Sequence, residues 1–145
     1  MLRILKGSKV FFDTAPIIYH LEGHDSFGPL VRKLFDNDSG LILTTSVLSL
    51  METTVVPFRN KQQDKVQQVS RFFKNGIFDE LYIIDSEVAF FAAELRGRHS
   101  GLKAVDSLQL SVAIINGCSC FLTNDLRLPK MDEIDILFLS NLSAD

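Results

Sequence analysis

The stretch Val10-Phe11-Phe12-Asp13-Thr14-Ala15-Pro16-Ile17 decides how the rest of the chain is read. Three apolar residues, two of them aromatic, run directly into an aspartate, a threonine and then a proline. Nothing in Val10, Phe11 and Phe12 favours a wet face, so they predict a short strand buried on both sides. Pro16 suits the first turn of a following helix, where its missing N–H costs nothing. Asp13 then stands at the carboxyl end of a central strand, the edge at which open α/β sheets bind ligands.

Outward from that stretch, strand and helix patterns alternate. Ile17–Leu21 reads as a short helix, broken near Gly23 and Gly28-Pro29, and a second helix is expected from Leu30 to Asp38. Leu41–Thr45 is a further buried strand. Ser46 can cap a helix carrying Leu48, Met51, Glu52 and Val55 that is expected to stop near Pro57. Asn60–Lys74 places Val66, Val69, Phe72 and Phe73 among Lys, Gln and Arg, an amphipathic pattern with one wet face. Phe78–Ile84 contains a third strand, and Ser86–Arg98 a helix. Ala104–Ile115 is apolar on most sides and should pack deeply, ending at Asn116-Gly117. Cys120–Thr123 and Ile134–Leu139 complete the strands. This order predicts an α/β fold: a three-layer α/β/α sandwich around a mainly parallel, roughly five-stranded sheet, with residues 1–145 forming one domain.

Composition narrows the function classes. Apolar residues make up 46% and charged residues 23%, which is ordinary for a soluble globule and argues against disorder. A formal charge of -3 does not advertise nucleic-acid binding, although a local basic patch can still provide it. The start, Met1-Leu2-Arg3-Ile4-Leu5-Lys6, lacks the apolar run of a signal peptide, and no stretch approaches a membrane span. Cys118 and Cys120 are too close for a good disulfide and have no neighbouring ligands. They read as small buried residues in a reducing cytoplasm.

Four acids then fall at one edge. Asp13 ends strand one, and Glu52 lies about two turns into the helix after strand two. Asp106 is in the first turn of the deep helix, and Asp125 follows Phe121-Leu122-Thr123-Asn124. Each is just beyond a strand's carboxyl end, or early in a helix on that side, so all four can meet in one crevice. A carboxylate on a core-facing surface must be paired, protonated or bound to a metal. Lys103 is the nearest partner in sequence for Asp106. Mg²⁺ or Mn²⁺ suits an all-oxygen donor set, while the scattered His and Cys disfavour zinc. Spacing does not decide between one ion and two.

These residues give the chain a resemblance to PIN-domain ribonucleases, most closely the VapC-type toxins of VapBC toxin–antitoxin systems. It is carried by Phe12-Asp13-Thr14-Ala15-Pro16-Ile17-Ile18-Tyr19, by Glu52 within Ser49-Leu50-Met51-Glu52, by Val105-Asp106-Ser107-Leu108 and by Leu122-Thr123-Asn124-Asp125. The resemblance implies that Asp13, Glu52 and Asp106 hold the metal, with Asp125 a fourth acid, Thr123 orienting the site and Asn124 shaping the turn. It implies Mg²⁺- or Mn²⁺-dependent hydrolysis of RNA phosphodiesters to 5′-phosphate and 3′-hydroxyl ends, a homodimer, and a cognate antitoxin as partner. Ser107 stands where many relatives carry alanine.

Around the acids, Arg96, Arg98, His99 and Lys103 could guide an RNA backbone or simply end a helix, and Arg127 and Lys130 are similar candidates. His20 and His24 lack an acid–base partner and read as structural. A phospho-acceptor receiver domain fails the pattern, because the acceptor aspartate and late lysine are misplaced. A phosphatase using Asp13 as nucleophile would want an acid where Ala15 stands. Two alternatives stay open: a catalytically silent PIN-like module that binds RNA or protein, and a PIN nuclease of RNA processing without an antitoxin.

Overall fold

The computed structural model describes residues 5–142. Five strands form one sheet: β1 (Lys9–Phe12), β2 (Ile42–Ser46), β3 (Glu80–Tyr82), β4 (Cys120–Thr123) and β5 (Asp135–Phe138). They lie in the order β3-β2-β1-β4-β5, and every neighbouring pair is parallel. Among the described residues the connections carry six α-helices: α1 (Thr14–Glu22), α2 (Gly28–Leu34), α3 (Val47–Arg59), α4 (Gln63–Lys74), α5 (Ser86–Arg98) and α6 (Ala104–Ile115). Parallel strands need crossovers of this kind, and the helices cover both faces. The result is the three-layer α/β/α sandwich.

Alternation along the central strands builds two cores. Val10 and Phe12 of β1, with Cys120 and Leu122 of β4, face a cluster that includes Ile17, Val31, Leu34, Phe35, Val69 and Phe78. Phe11 and Phe121 point the other way, onto Val88, Leu95, Leu110 and Val112 of α5 and α6. Phe12 stacks on Phe35 with ring centroids 4.8 Å apart, and Phe11 on Phe121 at 5.2 Å. Truncating the fully buried Phe12 to alanine would cost about 3–5 kcal/mol. Cys118 and Cys120 are free and buried, one in each core. Among the described residues no helix is long and apolar enough to cross a membrane.

Several boundaries differ from the sequence reading. The first helix begins at Thr14 rather than Ile17, because Asp13 caps it. The second stops at Leu34. Residues 37–39 form a separate 3₁₀ turn, closed by Asp36 accepting from the Asp38 N–H and by Gly40 at φ 68°. α3 runs through Pro57 to Arg59, since a proline in the last turn removes only one hydrogen bond. Lys61 at φ 54° delays the next helix to Gln63. α6 buries Ser107 and the run from Gln109 to Ala113, leaving Ile115 exposed, so its hidden face is partly polar.

Candidate active site

The sheet register builds the first pair. Phe12 pairs with Leu122, and the Asp13 N–H still donates to the Leu122 carbonyl at 2.9 Å, so Asp13 leaves the sheet beside Thr123. Both carboxylate oxygens of Asp13 are engaged. Oδ1 accepts the Thr14 N–H at 2.8 Å, and Oδ2 accepts the Thr123 hydroxyl at 2.7 Å. Thr123 is fully buried, and its Oγ1 also accepts the Asp125 N–H at 3.1 Å. One hydroxyl therefore orients Asp13 and sets the turn that presents Asp125.

The other acids arrive on helices. Glu52 lies in the second turn of α3, where its Oε1 accepts the Thr14 hydroxyl at 2.7 Å. Asp106 is in the first turn of α6. Burial, reinforced by the Asp106 and Glu52 charges, pushes the Asp13 carboxyl up to about 6 against the hydrogen bonds from Thr123 and Thr14. Asp106 is likewise raised, by burial and then by the Asp125 and Glu52 charges, with Lys103 and Arg127 pulling the other way. Asp125 is lowered because Arg127 grips it, Nε to Oδ1 at 2.9 Å and Nη2 to Oδ2 at 3.1 Å. Asp13 thus feels the charges of Asp106 and Glu52, and Asp106 those of Asp125 and Glu52.

The basic residues divide. Arg96 Nε donates to the Leu102 carbonyl at 3.1 Å, tying the turn between α5 and α6, and Arg98 forms an ion pair with Glu133 at 2.7 Å. Lys103 and Arg127 lie within electrostatic reach of the acids, but Lys103 makes no ion pair with Asp106 among the described residues. His20 packs among Phe35 and Phe72, and the His24 Nδ1 accepts the Ser26 and Phe27 N–H groups, both at 3.2 Å. Neither histidine joins the crevice. Beside Glu52, a cavity of about 480 Å³ opens between α1, α3 and α4, with Lys65 and Gln68 in its wall.

The sequence reading missed a set of buried polar residues. Ser46, Ser49, Thr14 and Gln109 connect to one another behind Glu52. Their signal was weak: Gln109 between Leu108 and Leu110, in a helix with almost no wet face, has only buried surroundings available.

Hard oxygen donors without a neighbouring thiol or imidazole fit Mg²⁺ or Mn²⁺ rather than zinc. Burial, with repulsion added to it, raises two of the acids, a cost that a divalent cation would relieve. Among the described residues, however, no group of three or more acids, histidines or cysteines closes to ligand spacing. The donor chemistry fits; the donors stand at electrostatic reach of one another.

A sequence model of the PIN domain matches residues 10–134. The chain belongs to the PIN-domain family. Solved structures place this PIN domain among similar folds. VapBC2 of Rickettsia felis, bound to a DNA fragment from its promoter, has TM-score 0.69 at 18% identity, over 89% of this chain and 97% of that one. A toxin–antitoxin complex from Klebsiella pneumoniae gives 0.70 at 17%, over 90% and 98%. VapC20 of Mycobacterium tuberculosis, a toxin that cleaves the sarcin–ricin loop, gives 0.64 at 16%, over 78% and 87%. At these identities the likeness is one of fold. No curated protein matches the chain in sequence.

Proposed function

We propose that this PIN domain is a Mg²⁺- or Mn²⁺-dependent endoribonuclease and the toxin of a toxin–antitoxin pair. The observation that carries the reading is Asp13: a carboxyl oriented by Thr123, pushed up to about 6, and electrostatically coupled to Asp106 and Glu52. Asp13, Glu52 and Asp106 would hold the cation, with Asp125 as a fourth acid. When bound, that cation lowers the pKa of the attacking water and stabilises charge on the phosphate oxygens. Thr123 fixes the direction of Asp13. Lys103 and Arg127 supply positive potential for an RNA backbone, whereas Arg96 and Arg98 are held by the Leu102 carbonyl and Glu133.

Partners are supported by the solved toxin–antitoxin complexes of the same fold and by exposed apolar side chains. Phe58, Ile83 and Phe90 are 61%, 70% and 81% exposed. A second copy of this chain and an antitoxin are the proposed occupants of such surface, in a cytoplasmic setting.

One observation favours a second reading, a silent PIN module that binds RNA or protein without cutting. The acids do not close to ligand spacing among the described residues. Cleavage of single-stranded RNA with Mn²⁺, repeated with EDTA and with Asp13→Asn, separates the two. Loss of cutting in both controls, with 5′-phosphate ends in the active sample, supports the nuclease. RNA binding with no cutting supports the silent module, and cutting that survives both controls removes this mechanism. Growth arrest on expression of the wild type but not of Asp13→Asn tests the toxin assignment.

A further inference from the structure

Behind Glu52 runs a chain of side-chain hydrogen bonds, and proton counting fixes its direction. The ionised Glu52 carboxylate can only accept, so the single hydroxyl proton of Thr14 goes to Oε1 at 2.7 Å. Thr14 Oγ1 must then receive from Ser49 Oγ at 3.1 Å. Ser49 Oγ, its proton committed, accepts from Gln109 Nε2 at 2.7 Å. At the far end of the same amide, Gln109 Oε1 accepts the Ser46 hydroxyl, whose oxygen accepts the Leu48 N–H at 3.1 Å. Ser46, Ser49 and Gln109 are fully buried, and Thr14 nearly so. Every donor points toward Glu52, starting from the amino end of the helix that carries it.

We infer that Thr14, Ser49 and Gln109 are positioning residues that fix the direction of the Glu52 carboxylate and so its readiness to hold a cation. This rests on the reading of Glu52 as a metal-holding acid. Three structural elements meet in the chain: α1 through Thr14, α3 through Ser49 and Glu52, and α6 through Gln109. The relay therefore couples Glu52 to the helix that presents Asp106. Bonds aligned in one direction polarise one another, and in a dry interior their effect on a charge is larger than at the surface. Gln109 is the member that sets the polarity, since an amide can accept at one end while donating at the other.

Thr14→Val keeps the shape and removes the hydroxyl, Thr14→Ser keeps the hydroxyl, and Gln109→Met removes the amide. Mn²⁺ affinity is read by electron paramagnetic resonance, cleavage by kcat/KM, and Glu52 placement by crystal structures in EDTA. Outer partners of metal ligands are typically worth about 10–100-fold in affinity. Thr14→Val is expected to weaken Mn²⁺ binding by about that factor, to lower cleavage with it, and to let the Glu52 carboxylate turn away in the metal-free crystal. Thr14→Ser should restore all three, and Gln109→Met should follow Thr14→Val in a milder form. Unchanged Mn²⁺ affinity in Thr14→Val, or a Glu52 carboxylate that keeps its place there, overturns the inference. A wild type that binds no Mn²⁺ overturns the nuclease reading instead, and the crystals still judge the relay. If Gln109→Met fails to fold, the Thr14 pair decides.

Discussion

At the amino end of the sheet, Glu80 receives Lys9 Nζ at 3.3 Å on each oxygen and also accepts the Tyr82 hydroxyl, while Lys9 donates a further bond to the Asn116 carbonyl. At the carboxyl end, Asp13 and Glu52 have hydroxyl or backbone donors, and Asp13 and Asp106 have near charges of their own sign, but none of the three has an ion-paired cation among the described residues. The consequences are opposite. Glu80 is held below the usual glutamate range, chiefly by the Tyr82 hydroxyl and then by Lys9, whereas burial, with the Asp106 and Glu52 charges added to it, pushes Asp13 up to about 6. A carboxylate that only holds the fold is given a partner. One buried without a cation beside it, like Asp13, carries a desolvation cost that the fold must bear.

The contrast breaks first at Asp13. Asp13→Asn should reduce Mn²⁺-dependent RNA cleavage by about 10³-fold, equivalent to the several kcal/mol a bound cation supplies to the transition state. Single-turnover assays at saturating Mn²⁺ measure it; a tenfold loss or less would leave Asp13 outside the metal set.

The same substitution should act on stability with the reverse sign. A carboxyl whose folded pKa is raised contributes stability that is fully present below pH about 4 and lost as pH rises through about 6. In EDTA, Asp13→Asn should therefore be more stable than wild type at pH 7.5 by up to about 3 kcal/mol, and the gap should close by pH 4. Urea titrations across that range test this. Mn²⁺ at a hundredfold excess over its dissociation constant should return about 2.7 kcal/mol to wild type and little to the variant.

At the other end of the sheet, Lys9→Met should cost less than about 1 kcal/mol, since Glu80 is partly solvated. Glu80 has a lowered pKa, so that cost is present at neutral pH and vanishes as pH falls through the carboxylate range. Cleavage should be unchanged. A loss of activity in Lys9→Met would mean the two ends are not independent.

The smallest effect is expected at Arg127. Its grip on Asp125 is exposed, so Arg127→Ala should leave the melting temperature nearly unchanged. It should weaken RNA binding and flatten the log–log salt dependence by about 0.7, the share of one phosphate contact on a single strand. An unchanged slope would confine Arg127 to shaping the turn at Asp125.

Periodicity and residue type were enough for the strands, the parallel sheet and the order of the acids. Buried β-strands and long amphipathic helices are short-range patterns, and Val10–Phe12 or Gln63–Lys74 express them without help from elsewhere. Chain direction also placed Asp13 at the carboxyl edge, because parallel strands leave a sheet on one side. Helix ends were less legible: the start at Thr14, and Pro57 tolerated inside α3, depend on local hydrogen bonds that composition does not display. Tertiary structure alone decided that Arg98 goes to Glu133, and that Gln109 stands behind Glu52 through Ser49 and Thr14. Such pairings join residues from different elements, and a sequence records which groups are present but not which of them share a dry interior.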